Sequence, residues 1–132
     1  MLLPPVDVHV IKTSAYSTWM GKDGIARTVV KPGIEVTLKE AEENTRAVFS
    51  LYDDRKFPLL IDARNIKYIT KEARDHFSIR NRETRITAFA ILIYSPLSRI
   101  IGNFFMGLNK PSVPARLFTD EKQALQWLKN FL

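Results

Sequence analysis

The chain concentrates its basic residues in one stretch. Between Arg64 and Arg85, seven lysines and arginines stand against three carboxylates, so this stretch carries +4 of the formal net charge of +6. If the segment from Thr70 to about Glu83 is helical, several of its basic residues form one stripe. Such a stripe either docks an acidic protein or polyanion or is a solvated outer face. The predicted docking surface consists of Arg64, Lys67, Lys71, Arg74 and Arg82.

A second set of polar residues follows three predicted parallel strands. The carboxyl ends of parallel strands open on one rim of a sheet, next to helix N-termini whose free N–H groups attract anions. Helix capping explains serine and threonine at these positions equally well. The candidate residues for an anion or small-ligand site at this rim are Asn65, Ser95, Ser98, Arg99 and Thr119.

Catalytic and metal-binding signatures are missing from the sequence. The two histidines, His9 and His76, have no second ligand at metal-binding spacing. The chain has no cysteine, which excludes thiol nucleophiles, thiolate metal sites and disulfides. We therefore expect a protein that is not an enzyme and that uses no metal or cofactor.

Composition is typical of a globular protein of one domain. The chain has 132 residues, of which 45% are hydrophobic, with 5 glycines and 7 prolines, a balance that excludes disordered and collagen-like chains. The longest apolar run, Ala88–Tyr94, is far shorter than the roughly 20 residues that cross a bilayer. Pro4 and Pro5 interrupt the first apolar stretch, which argues against a signal peptide. With the absence of cysteine, this predicts a cytoplasmic protein without a transmembrane segment.

Hydrophobic periodicity predicts the elements that position these residues. Three strands open the chain, with the turn Gly21–Gly24 joining the second and third into a hairpin. Strands and helices then alternate, and Thr37 with Glu40 forms a capping box for the first helix. The predicted strands are Val6–Ile11, Ala15–Met20, Ile25–Val30, Phe57–Ile61, Ile86–Tyr94 and Arg116–Phe118, and the predicted helices begin near Leu38, Thr70, Leu97 and Thr119. This order predicts an α/β domain with about four helices, whose mixed sheet continues from antiparallel N-terminal strands into parallel β-α units.

Two segments carry a resemblance to a known family. The first reads FPLLIDARNIKYITKEARDHF, in which Asp62 closes a strand and Ile66, Tyr68 and Ile69 lead into a helix; the second is the ending PARLFTDEKQALQWLKNFL. In these segments and in its order of elements, the chain resembles the STAS-like families, named for sulfate transporters and anti-sigma-factor antagonists, and especially their small stand-alone bacterial branch. The resemblance covers nearly the whole length and implies a regulatory, protein-binding domain.

The start of the second predicted helix differs from the corresponding segment of the family that the chain resembles. In anti-sigma-factor antagonists a D-S-S-G segment there carries a phosphorylated serine, whereas this chain reads Thr70-Lys71-Glu72-Ala73. Both serines are missing, so we interpret Thr70 as a helix N-cap. Glu72 is either an ordinary first-turn acid or a permanent substitute for the phosphate charge.

These observations together predict a non-enzymatic module that docks an acidic protein partner through the predicted docking surface. The alternative is a carrier or sensor of a lipid-like or anionic small molecule, since the resemblance extends to domains with an apolar pocket. The apolar helix Leu97–Leu108 would then wall the pocket, or it would form a homodimer contact. Nucleic acid is disfavoured as a partner because no exposed aromatic residues are interleaved with the basic ones.

Overall fold

The computed structural model describes residues 2–51, 55–80, 85–94 and 113–132. These residues form eight strands, three α-helices and, at the end of the chain, a short 3-10 turn. In chain order the elements are β1 (Val10–Lys12), β2 (Tyr16–Met20), β3 (Ala26–Val30), β4 (Glu35–Val36), α1 (Leu38–Phe49), β5 (Phe57–Asp62), β6 (Tyr68–Ile69), α2 (Lys71–Arg80), β7 (Ile86–Leu92), β8 (Ala115–Phe118), α3 (Glu121–Leu128) and the turn Lys129–Phe131.

Six strands form one mixed sheet, in the order β1-β2-β3-β5-β7-β8. The pairs β1–β2 and β2–β3 are antiparallel, whereas β3, β5, β7 and β8 run parallel. Gly24, with a φ of +83°, lies in the β2–β3 hairpin turn, where a positive φ favours glycine. The connections from β3 to β5 and from β5 to β7 carry α1 and α2, because parallel neighbours need a crossover. The predicted α/β domain with a mixed sheet is therefore confirmed.

Helices cover both faces of this sheet. α1 packs on β2 and β3 and contacts α2, while α3 packs on β5, β7 and β8. Successive strand residues point to opposite faces, so Thr18 faces α1 whereas its neighbour Trp19 faces α3. Trp19 belongs to one core cluster with Leu60 and Leu128, and Leu2 of the N-terminal segment joins the same cluster. The N-terminal segment therefore helps α3 to cover its face of the sheet.

A buried polar network fastens α1 to the sheet. The Oδ1 atom of Asn44 accepts hydrogen bonds from the Thr28 hydroxyl at 2.7 Å and from the Thr18 hydroxyl at 3.2 Å. The two hydroxyl oxygens lie 2.9 Å apart, and all three residues are buried. Buried hydroxyl and amide groups are costly without partners, so this network selects one position of α1 against β2 and β3.

The first predicted strand, Val6–Ile11, is wrong in its first half. Residues 6–8 form a turn and bend, and the Val6 side chain is fully exposed. The strand begins only at Val10, which pairs with Trp19. Because β2 ends at Met20, residues ahead of His9 have no strand residue left to pair with.

Two other differences concern the number of elements. The described residues contain three α-helices, and the fourth predicted helix, Leu97–Leu108, lies outside them. A second, two-stranded sheet made by β4 and β6 was not predicted. Each of its strands has two residues, which is too short for a hydrophobic period to be recognised in a sequence.

Candidate functional site

The predicted docking surface begins at a buried carboxylate. Asp62 ends β5, and its side chain is 1% exposed. One carboxylate oxygen accepts hydrogen bonds from the Arg64 backbone N–H at 3.1 Å and from Arg64 Nε at 2.9 Å. The other accepts from Arg64 Nη2 at 2.9 Å and from the Leu2 N–H at 3.0 Å. Burial opposes the charge, but these hydrogen bonds hold the pKa of Asp62 below its ordinary value. Arg64 therefore neutralises Asp62 and fixes the loop that follows β5.

The small sheet orders the rest of this loop. Its two strands pair in parallel, with Glu35 opposite Tyr68 and Val36 opposite Ile69. Val36 and Ile69 are buried, so alternation along the strand directs Tyr68 to solvent, where it is 51% exposed. Lys67, the residue before it, is also exposed. The strand β6 thus presents Tyr68, and the Lys67 N–H, which donates to the Ile34 carbonyl at 3.3 Å, holds the backbone of the preceding residue against the same segment.

α2 begins directly after this sheet, with Thr70 as its N-cap. The Thr70 hydroxyl accepts a hydrogen bond from the Ala73 N–H at 3.2 Å, which confirms its predicted role. The Lys71 side chain is 74% exposed, and its Nζ lies 3.3 Å from Asp75 Oδ2. Arg74 instead turns back, and its Nη1 donates to the carbonyl of the last β6 residue at 2.8 Å. Arg74 closes the junction between β6 and α2, whereas Lys71 faces solvent.

The structure thus divides the predicted docking surface into two groups. Arg64 and Arg74 are half-buried and hold the loop and the helix start in place. Lys67 and Lys71 are exposed and flank Tyr68 in the sequence. We refer to Lys67, Tyr68 and Lys71 as the exposed basic patch.

The predicted anion rim is described only in part. There, the Tyr94 hydroxyl donates to Asn65 Oδ1 at 2.6 Å. Thr119 is exposed, and the N-cap of α3 is Asp120, whose side chain accepts from a backbone N–H of the first turn. The neighbouring Arg64 is already paired with Asp62, which weakens the case for an anion site here. Outside the described residues lie Ser95, Ser98 and Arg99 of this rim and Arg82 of the predicted docking surface.

Two exposed tyrosines were not among the predicted site residues. Tyr68 could have been found from the sequence Ile66-Lys67-Tyr68-Ile69, because two polar-tipped residues stand there between two buried isoleucines. Tyr94 follows the apolar strand β7 and is exposed at the carboxyl end of that strand. A tyrosine that ends an otherwise apolar run is a signal for the rim of a parallel sheet.

The remaining candidates for chemistry are few. His76 lies 2.8 Å from the Thr45 hydroxyl through its Nε2, and His9 is exposed. Among the described residues, no group of three or more histidine or carboxylate side chains is placed to hold a metal ion. Within the same residues, no helix combines the length and the apolar character needed to cross a membrane.

Comparison with solved structures identifies the fold. The chain is similar to an uncharacterized protein of the DUF3478 family from Shewanella loihica PV-4, described as having a SpoIIAA-like fold. The TM-score is 0.59 at 15% sequence identity, over 92% of this chain and 91% of that one. The domain therefore has a SpoIIAA-like, that is STAS-like, α/β fold, and the resemblance seen in the sequence is confirmed.

A family model identifies the family, and a second solved structure is related in sequence. The chain belongs to the family described as a domain of unknown function, DUF7793, which matches residues 18–132. A protein of unknown function from Arthrobacter sp. FB24 is 32% identical over 84% of this chain and 96% of that one, with a TM-score of 0.34. No curated protein matches the sequence.

Proposed function

We propose that this chain is a non-enzymatic, cytoplasmic regulatory module that docks an acidic protein partner through the exposed basic patch. The observation that supports the proposal is the β4–β6 sheet, which holds Tyr68 at the surface shortly before the start of α2, together with the hydrogen bond from the Lys67 N–H to the Ile34 carbonyl at 3.3 Å. Sites on rigid elements bind with a smaller loss of conformational entropy than sites on loose loops.

The charge of the patch favours a carboxylate-rich partner. Lys71 pairs with Asp75 across one helical turn, but the Lys71 side chain is largely exposed and the Asp75 side chain is nearly half exposed. Exposed pairs of this kind contribute only about 0.3–0.5 kcal/mol, so a partner carboxylate can replace Asp75 at little cost. Lys67 makes no ion pair with any described residue. The patch therefore has two ammonium groups available for a partner.

Tyr68 favours a protein rather than a simple polyanion. Its side chain is half exposed, and the pairing of β6 with β4 fixes its backbone. The two lysines lie one residue before it and three residues after it in the sequence. Tyrosine is enriched at protein interfaces because its ring supplies apolar contact area while its hydroxyl keeps a hydrogen bond. The patch thus combines an aromatic anchor with a basic rim.

The proposal excludes Arg64 and Arg74 from direct docking. Their guanidinium groups bind Asp62 and the carbonyl that ends β6, so reversing their charge would disturb the fold itself. A test of docking has to use residues whose side chains face solvent.

The experiment compares two double variants as bait in affinity capture. Lys67→Glu with Lys71→Glu reverses the charge of the patch, and Lys122→Glu with Lys129→Glu makes the same change of net charge on exposed residues of α3 and the turn after it. A protein captured by the wild type is identified, purified and titrated against all three forms. We expect the patch variant to bind at least tenfold more weakly and the control to bind as the wild type does, with unchanged melting temperatures.

Two further results bear on the proposal. Affinity for the wild type should fall as salt is raised, since the contacts are between exposed charges. Equal affinities for the patch variant and the α3 control would rule out docking at this surface. The alternative function, a carrier of a lipid-like or anionic molecule, depends on the segment Leu97–Leu108, and a co-purified small molecule in native mass spectrometry would support it instead.

A further inference from the structure

A cleft of about 570 Å³ opens on the α3 side of the sheet. It lies between the N-terminal segment, the turn joining β2 to β3, and the first turn of α3. Its volume is within the range of small-molecule sites, which is about 300–1,000 Å³. The cleft is separate from the exposed basic patch, because no residue of the patch lines it.

One half of the cleft is apolar. Leu2, Leu3 and Pro5 form the outer wall, and Trp19 lines the inner side. Leu2 is held in place by its N–H bond to Asp62, and Leu3 is 77% exposed. This apolar wall comes from residues that precede the region matched by the family, residues 18–132.

The other half of the cleft carries charges, and its two cations already have partners. The Arg27 guanidinium binds both oxygens of Asp23, at 2.5 and 2.9 Å, and the carbonyl of Ile25 at 2.7 Å. Burial opposes the charge of Asp23, but the hydrogen bonds from Arg27 and from the Ile25 N–H at 3.1 Å hold its pKa below the ordinary value. Lys22 pairs with Asp7. An anion entering the cleft would have to compete with these carboxylates.

Glu121 is the charged residue of the cleft lining that has not yet been accounted for by an ion pair. It is exposed in the first turn of α3 and forms no salt bridge within the described residues, although its charge interacts at longer range with Arg64. The nearby Arg64 has its charge taken up by Asp62. A carboxylate beside an apolar wall, with the neighbouring cations neutralised, favours a positively charged ligand.

We propose that this cleft binds a small amphipathic cation, with its apolar body against Leu3, Pro5 and Trp19 and its ammonium group at Glu121. The lining is complementary to such a molecule on both counts: it offers apolar area for a hydrocarbon or aromatic body, and an exposed carboxylate outside any salt bridge of the described residues for the amine. This site would bind its ligand independently of any protein docked on the exposed basic patch.

The experiment uses three probes with the same body and different charge: hexylammonium, hexanol and hexanoate. The chain has two tryptophans, so Trp127→Phe leaves Trp19, which lines the cleft, as the single fluorescent reporter. Backbone amide shifts of the wild type, followed by NMR, provide a second measurement that does not depend on this variant. We expect saturable millimolar binding of hexylammonium, with shifts centred on Leu3, Trp19 and Glu121, and weaker binding of hexanol and hexanoate in that order.

Matched variants test the role of the carboxylate. Glu121→Gln should weaken hexylammonium roughly threefold, the value of one exposed ion pair, and should leave hexanol unchanged. Glu42→Gln, at a half-exposed position on α1 that pairs with Arg46 on the other face of the sheet, should change neither. The proposal is overturned if hexanoate binds as well as hexylammonium, if the two glutamine variants behave alike, or if no probe shifts the cleft residues.

Discussion

Replacing Asp62 by asparagine isolates the charge that closes the junction after β5. The variant keeps the shape of the side chain but turns one acceptor oxygen into an NH2 donor. Each carboxylate oxygen accepts two hydrogen bonds, so in either amide orientation two of the four bonds are lost and the new NH2 group meets two donors. Arg64 is left without its counter-charge.

The expected loss of stability is about 3 kcal/mol. Hydrogen bonds to a charged group contribute roughly 1.5–3 kcal/mol each, and breaking a buried ion pair from one side costs about 3–5 kcal/mol. The Arg64 side chain is 18% exposed, so water recovers part of this loss. With a urea m-value of roughly 1.5 kcal/mol per M for a chain of this size, the unfolding midpoint should fall by about 2 M.

The dependence on pH distinguishes charge from shape. Because the folded pKa of Asp62 lies below its unfolded value, the carboxylate stabilises the fold fully above about pH 4 and loses this effect as the pH falls through the folded pKa. The difference in unfolding free energy between wild type and Asp62→Asn should therefore be full at pH 6 and smaller at pH 3.

Urea titrations followed by circular dichroism at both pH values provide the measurement. Asp75→Asn serves as the control, since it also changes an acid to its amide but removes only the exposed pair with Lys71; it should cost less than about 0.5 kcal/mol. A loss below about 1 kcal/mol for Asp62→Asn, or a loss that is the same at pH 6 and pH 3, would refute the reasoning.

The same titrations test two other positions. Asn44→Ala removes the shared acceptor of Thr18 and Thr28 and should lower the free energy of unfolding by about 2 kcal/mol. Replacing all three residues by apolar ones of similar shape should recover most of this stability. A triple variant as unstable as Asn44→Ala would contradict the stabilising role of the network. Gly21→Ala should cost about 2 kcal/mol because its methyl group would overlap the ion pair beside the cleft. Gly33→Ala, at a φ of +73° but in open space, should lower the free energy of unfolding by only about 1 kcal/mol. A larger loss for Gly33→Ala than for Gly21→Ala would show that the neighbours of Gly21 move to make room for the methyl group.

The sheet was predictable because its signals are local. Runs such as Phe57–Ile61 and Ile86–Tyr94 are apolar on both faces, as strands covered on both sides must be. The capping box at Thr37 is confirmed by two hydrogen bonds to Glu40, from the backbone N–H at 3.1 Å and the hydroxyl at 2.8 Å. Each of these signals lies within a few residues, so no knowledge of distant contacts was needed.

The site was less predictable because it depends on contacts between distant residues. The sequence predicts the same docking role for Arg64 and Arg74 as for Lys67 and Lys71. Nothing in a sequence shows which guanidinium binds a buried carboxylate or a backbone carbonyl. The tie between Leu2 and Asp62 spans 60 residues. The burial of Asn44 could not be predicted for the same reason, because its partners lie on strands much earlier in the chain.

The lengths of the two outer strands affect how the domain behaves at high concentration. β1 and β8, at the two sides of the six-stranded sheet, have only three and four residues. Lys12 and Arg116 place exposed charges on them, and Pro114 precedes β8. Short strands, charge and proline are the means by which proteins prevent strand-by-strand addition of further molecules. Among the described strands, these features disfavour the pairing of another molecule at either edge of the sheet.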